Sequence, residues 1–142
     1  MQNLCHISNS DIADMVHRAG VRPSAQRLAI LRNVIEGQKH PTADEIFHDI
    51  HAEYPTMSLT TVYNSLRVLT EAGLLTELIL ESGNRIYDFA RQPRHGHLRC
   101  KNCGRIFDMG LPEDLQFATP AGFRIDNVDI FFRGLCPECM NK

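Results

Sequence analysis

Two cysteine pairs constrain this chain more than any other feature. Cys100-Lys-Asn-Cys103-Gly104 and Cys136-Pro-Glu-Cys139 are CxxC knuckles separated by 32 residues. A CxxC turn aims two thiolates at one centre, and two such turns complete a tetrahedral four-sulfur site. Four thiolates leave no open position for a substrate, so the metal expected is a structural zinc, Zn2+, one per subunit. Two separate redox dithiols or disulfides are the alternatives. Gly104 and the strand-forming residues around the knuckles fit zinc better, and loss of the metal is expected to unfold the C-terminal domain. The fifth cysteine, Cys5, stands beside His6 in a polar tail and reads as a free surface thiol.

The 142 residues allow one ordinary domain or two small ones. Helical signals dominate the first half. Asp11 to Ala19 reads as a helix with Ser10 as N-cap and Gly20 as stop. Pro23 precedes a second over Ser24 to Glu36, with Leu28, Leu31 and Ile35 on one face, and Gly37 ends it. Thr42-Ala-Asp-Glu45 is a capping box that opens a third, about Ala43 to His51. Ser58 opens a fourth that ends near Ala72 before Gly73, with Val62, Leu66 and Leu69 as its apolar stripe. Strands over Leu74–Leu80 and Arg85–Phe89 flank the turn residues Glu81-Ser-Gly-Asn84. Helices followed by a β-hairpin give the order of a winged helix. The predicted organisation is therefore α+β. A winged-helix domain spans 1–90, a hinge 91–94 contains Gln92-Pro93, and a small α/β domain with the four-cysteine zinc site spans 95–142. In that second part short strands are expected at His97–Cys100, Arg105–Met109, Phe123–Ile125 and Asp129–Phe132, with a short helix near Pro112–Phe117.

A net charge of −2 does not suggest a nucleic-acid binder, but its distribution does. No acid lies between Asp14 and Glu36, and that window holds Arg18, Arg22, Arg27 and Arg32. The polar face of the fourth helix offers Thr60, Thr61, Tyr63, Asn64 and Arg67. Short hydroxyls and amides near a helix start suit phosphates and base edges, and Arg or Tyr supplies reach. An ordinary solvated helix face would look similar. The hairpin that follows and the Arg-rich helix before it favour DNA, with Arg22 and Arg27 as further contacts. Because nonspecific affinity scales with phosphates neutralised, it should be modest. No apolar run of membrane-spanning length occurs, and Met1 to Asp14 lacks the basic and apolar regions of a signal peptide, so the expected compartment is the cytoplasm.

Histidines supply a second constellation. His95-Gly-His97 sits at the expected hinge, with Asp88 on the last wing strand, Asp108 on the strand after the first knuckle and His40 in the loop before the third helix. Alternation along an extended segment puts His95 and His97 on one side. Imidazoles with carboxylates form a site suited to Fe2+, Mn2+ or Zn2+. His40 alone would read as a surface or capped residue.

Several of these pieces together resemble the ferric uptake regulator (Fur) family over nearly the whole chain. They are Arg22-Pro-Ser-Ala-Gln-Arg27, His40-Pro-Thr-Ala-Asp44, Ser58-Leu-Thr-Thr-Val-Tyr63-Asn, Tyr87-Asp-Phe89, His95-Gly-His97 and both knuckles. The resemblance implies a homodimer built from a winged-helix DNA-binding domain and an α/β dimerisation domain, zinc in the four-cysteine site, and a regulatory Fe2+ or Mn2+, one per subunit, held by His40, Asp88, His95, His97 and Asp108. Those ligands come from both sides of the hinge. A metal that grips both domains selects the arrangement in which two recognition helices match a double-stranded palindromic operator. Asp at both 88 and 108 is the pattern of the peroxide-sensing, PerR-like branch, whereas iron-sensing members usually carry Glu at the first. On that reading, bound Fe2+ reduces H2O2, the oxidant attacks His40 or His95, the metal leaves and the repressor releases DNA; a Mn2+ form resists. An iron-responsive repressor of metal uptake genes with the same ligands is the alternative. A zinc or manganese sensor is disfavoured because no spare Cys stands near Asp88. A non-haem Fe2+ enzyme is disfavoured because five protein ligands leave little room for a substrate. A zinc-ribbon module without DNA binding is a further rival. Two departures stand out. Val128 occupies the place where many members carry a His, so an additional metal site is expected to be absent or weak. The connection between the knuckles is short, so a dimerisation helix is expected to be trimmed.

Overall fold

The computed structural model describes residues 7–37, 40–92 and 94–142. Cys5 and His6, read above as a thiol-bearing tail, lie outside the described residues. The chain divides into two compact units, Met1–Arg91 and Gln92–Lys142.

In the first unit, helix α1 (Asn9–Arg18) starts earlier than the sequence suggests. Its cap is Ser8, whose hydroxyl accepts from the Asp11 N–H, rather than Ser10. Two serines two residues apart offer the same capping chemistry, and the helix that follows the earlier one buries Ile12 and Val16 in the core. Helix α2 (Ala25–Gly37) follows Ser24, which accepts from the Arg27 N–H. Helix α3 (Ala43–Ile50) is capped by Thr42 through the Glu45 N–H, and α4 (Leu59–Glu71) by Ser58 through the Thr61 N–H. Gly73, at φ +79°, turns the chain out of α4 in a conformation that side chains disfavour. Strands β1 (Leu75–Ile79) and β2 (Arg85–Phe89) then pair antiparallel, Leu75 opposite Phe89 and Ile79 opposite Arg85. The core is a single cluster that joins all four helices to the hairpin. Ile30, Leu31, Ile46, Val62, Leu66, Leu69 and Leu74 are fully buried in it. Arg32, bonded to Glu36 and to Asn9, straps α2 to α1 on the outside.

The second unit is a three-stranded sheet ordered β4-β3-β5. Strand β3 (His95–Cys100) pairs antiparallel with β4 (Ile106–Gly110) and parallel with β5 (Phe131–Gly134). A four-residue helix α5 (Pro137–Met140) closes the chain, with Pro137 at its start.

Three expectations for this unit fail. Residues 112–117 form no helix, only a turn in which the Leu115 N–H donates to the Pro112 carbonyl. Phe123–Ile125 is not a strand, and its Phe123 is 70% exposed. The last strand begins at Phe131 rather than Asp129. Local composition in 111–130 has helical and strand texture. Yet its contacts with the rest of the unit are single points, the Arg94 side chain on Leu115 and Phe117 and the His97 N–H on the Ile130 carbonyl, and not the buried face or continuous ladder that offsets ordering.

Candidate metal centres and nucleic-acid interface

The second unit has almost no conventional core. Its buried cluster is Cys100, Cys136 and Cys139, against which Phe107 and Leu135 pack. The two knuckles meet because β3 ends at Cys100 while β5, paired parallel beside it, delivers the chain to Cys136: Cys100 stands opposite Gly134. All four sulfurs lie within 4.8 Å of one another. Cys103 Sγ and Cys136 Sγ are 3.8 Å apart, and a tetrahedron with Zn–S bonds of about 2.3 Å has edges of about 3.8 Å. Donor type, number and spacing therefore fit zinc.

Around the sulfurs stands a ring of N–H donors. The Cys136 N–H donates to Cys100 Sγ at 3.4 Å, the Asn102 side-chain amide to Cys139 Sγ at 3.3 Å, and Arg105 Nε to Cys103 Sγ at 3.4 Å. Arg105 also reaches Cys136 Sγ at 3.7 Å and Glu138 at 2.6 Å. Backbone N–H groups of Cys103, Cys136 and Asn102 hold the Cys100 thiol down at about 5, against the burial that opposes them. The Arg105 side chain lowers Cys103. At Cys139 the Asn102 amide pulls downward, but burial and the neighbouring thiols outweigh it and push the group up to about 11. Crowded sulfurs thus resist common ionisation until a cation sits among them. Sequence reading missed Asn102, Arg105 and Glu138 as partners of this centre. Their only linear signal is position, inside or beside a knuckle.

The histidine and aspartate residues form two subsets, one in each unit. In the first, the Tyr87 N–H donates to the Pro41 carbonyl at 3.0 Å and so ties the loop before α3 to strand β2. Its consequence is that His40 Nε2 stands 3.8 Å from Asp88 Oδ2. The other Asp88 oxygen accepts from the Phe89 N–H at 2.9 Å, which fixes the carboxylate. In the second unit, register places His97 directly opposite Asp108, with His95 two residues along on the same face. Asp108 Oδ1 is 3.5 Å from His95 Nε2 and 3.7 Å from His97 Nε2, and the two rings meet edge to face at 4.7 Å. These N···O separations exceed a hydrogen bond. They are close to the roughly 3–3.5 Å between ligands that share one cation with bonds of about 2.1 Å. Between the two histidines the residue must be small. A Cβ on Gly96 would lie 2.8 Å from Phe132 Cε2 and 3.2 Å from the Ile130 carbonyl.

Helix α4 buries Val62, Ser65, Leu66 and Leu69 and leaves Thr60, Tyr63, Asn64 and Arg67 exposed. Thr61 is half-buried, its hydroxyl 3.0 Å from Ser58 Oγ at the cap. Arg22 is exposed, and Arg27 donates to the Arg22 carbonyl at 2.7 Å, which stiffens the entry to α2.

The model of the ferric uptake regulator family matches residues 18–132. The chain belongs to this family. The Fur-family chain is 38% identical over 133 residues to the peroxide operon regulator of Bacillus subtilis, covering 91% of each protein. To the peroxide-responsive repressor PerR of Staphylococcus aureus it is 34% identical over 146 residues, covering all of this chain and 97% of the relative. Among solved structures it resembles the Helicobacter pylori ferric uptake regulator Fur, a protein described with three functional metal binding sites. That likeness has a TM-score of 0.72 at 22% identity, over 99% of this chain and 97% of that one. The PerR of Streptococcus pyogenes, studied for peroxide sensing and gene regulation, matches with a TM-score of 0.53 at 26% identity over 94% of both chains. As a family member the chain is a metal-dependent transcriptional repressor and not an enzyme. The two donor sets suit two kinds of cation: four thiolates suit zinc, and imidazole with carboxylate suits a harder ion such as Fe2+ or Mn2+.

Proposed function

We propose that this Fur-family repressor senses hydrogen peroxide through Fe2+ held by His40, Asp88, His95, His97 and Asp108, while zinc held by Cys100, Cys103, Cys136 and Cys139 is structural. The observation that carries the reading is the donor chemistry. Each histidine subset pairs imidazole with an aspartate rather than a thiolate, and the relatives at 34–38% identity are peroxide regulators. Fe2+ held by these residues would supply redox chemistry toward H2O2 beside the ligand imidazoles. In the net reaction one H2O2 would leave one oxygen on His40 or His95 and release one water, and an oxidised imidazole is a poor ligand. Because His40 and Asp88 belong to one compact unit and His95, His97 and Asp108 to the other, one cation bound by all five ties the units together. Its loss frees them, and DNA affinity falls only by the cation's preference for the tied state.

The DNA partner is a palindromic operator, read by a homodimer with one α4 in each half-site. Thr60, Tyr63, Asn64 and Arg67 face it, supported by Thr61, Arg22 and Arg27. Apolar side chains in the second unit support the dimer: Phe117, Phe123, Ile125 and Val128 are exposed in the single chain. The proposed compartment is the cytoplasm; no described helix is long and apolar enough to cross a membrane.

The test is anaerobic. Protein loaded with Fe2+ or with Mn2+ is bound to a palindromic family-type operator, and about one equivalent of H2O2 is added. The expected result is loss of DNA binding in the Fe2+ sample alone. Binding that needs Fe2+ yet survives peroxide would replace this reading with an iron-responsive repressor.

A further inference from the structure

The zinc centre must survive the oxidant that the regulator is built to meet, and one of its sulfurs is accessible. Cys103 is exposed, whereas Cys100, Cys136 and Cys139 are buried. Cys103 Sγ also lies 3.8 Å from Cys136 Sγ, so a sulfur oxidised at Cys103 has its resolving partner beside it. The reaction to be avoided balances simply. Two thiolates, one H2O2 and two protons give one disulfide and two waters, and Zn2+ is expelled.

A single guanidinium covers that same pair. Arg105 Nε donates to Cys103 Sγ at 3.4 Å and its NH2 group reaches Cys136 Sγ at 3.7 Å. Glu138, one residue before Cys139, accepts from Arg105 at 2.6 Å, and the Phe107 ring lies 5.4 Å from the guanidinium carbon. Salt bridge and ring hold the fork in place, although both Arg105 and Glu138 are open to solvent. We propose that Arg105 is a positioning residue that shields the zinc-bound Cys103–Cys136 pair from peroxide. Its N–H groups occupy sulfur lone pairs and withdraw charge from a tetrathiolate centre whose formal charge is −2. A thiolate that shares its electron density with a donor is a weaker nucleophile. Lys cannot reproduce the fork, since an ammonium is a point charge without two fixed parallel N–H directions. This inference rests on zinc occupying the four cysteines, and it adds a protective role that neither zinc binding nor peroxide sensing requires.

The experiment uses the full-length, zinc-loaded, iron-free chain. Zinc release is followed with a metallochromic indicator in Arg105→Gln, Arg105→Lys and the parent, with H2O2, with the dianionic disulfide reagent DTNB, and with no oxidant. In Arg105→Gln the peroxide-driven rate should rise about tenfold, and the oxidant-free rate should stay within about twofold. DTNB should gain less than peroxide, because the lost cation also attracted the anion. Arg105→Lys should fall between. A site that was merely loosened would speed all three reactions by one factor, and that result overturns the proposal. So does an unchanged peroxide rate with one zinc per chain present. A parent protein without zinc would overturn the tetrathiolate assignment as well.

Discussion

The two units solve the same problem with different materials. The first buries an apolar cluster in which Ile30, Leu31, Ile46, Val62, Leu66 and Leu69 are wholly inaccessible to solvent. Hydrophobic burial can hold such a unit by itself. The second unit buries three cysteines and little else, and its strands are four to six residues long. A three-stranded sheet of that size needs a staple. What the difference teaches is that the zinc ligands stand where a core would stand, so metal and fold are one quantity in the second unit and independent in the first.

The largest expected effect follows from removing the staple. A strong chelator, or Cys100→Ser, should abolish amide-exchange protection across β3, β4 and β5 and leave α2 and α4 protected, because structural zinc binding of about 10–16 kcal/mol is folding free energy. Protection of β3 that survives without zinc would show that the second unit has a core of its own.

The converse perturbation is a cavity. Leu66 is fully buried, and Leu66→Ala should cost about 2–5 kcal/mol. That loss should appear as faster exchange in α2 and α4 with the zinc content unchanged. Zinc loss in parallel would mean the two units do not stand apart energetically.

A smaller effect sharpens the comparison through pH. Cys100 is held at about 5 against an ordinary 9.0. Its contribution is therefore present above about pH 9, declines as pH falls, and is gone below about 5, and zinc reinforces that sign. Tyr87 in the first unit is shifted the other way, first by burial and then by the Glu77 carboxylate. Its contribution is complete below its ordinary 10.0 and is lost as pH rises past the raised value. Unit-resolved exchange should therefore show the second unit weakening in acid while the first does not; in alkali both lose a contribution, the first at Tyr87 and the second at Cys139. Parallel pH profiles in the two units would contradict this.

The same contrast explains what was legible in the sequence. Helices with their own caps, such as Thr42 before α3 and Ser58 before α4, declare themselves locally, and the buried stripe Val62, Leu66 and Leu69 has the helical period. The clustering of the four thiols, and of His95 and His97 beside Asp108, was legible because CxxC spacing and His95-Gly-His97 carry geometry in the chain itself. What was not legible depends on partners distant in sequence. The segment 111–130 has strand and helix texture but meets the rest of its unit at single points, such as the His97 N–H on the Ile130 carbonyl, rather than along a ladder. The four-residue α5 exists because Cys136 and Cys139 must turn toward Cys100, a cause that lies 36 residues upstream of Cys136. Position inside or beside a knuckle was the only local mark of Asn102 and Arg105 as sulfur partners.

The central claim is a division of labour: peroxide is read at histidine while the thiolates stay intact. One measurement tests it most directly. The Fe2+,Zn2+ protein and its Mn2+,Zn2+ counterpart are each given about one equivalent of H2O2, and peptides are mapped by mass spectrometry beside a zinc assay. The account predicts one added oxygen on His40 or His95 in the iron sample only, with zinc retained and all four knuckle cysteines reduced. Unmodified histidines with a Cys103–Cys136 disulfide and released zinc would contradict it and would make the cysteine centre the sensor.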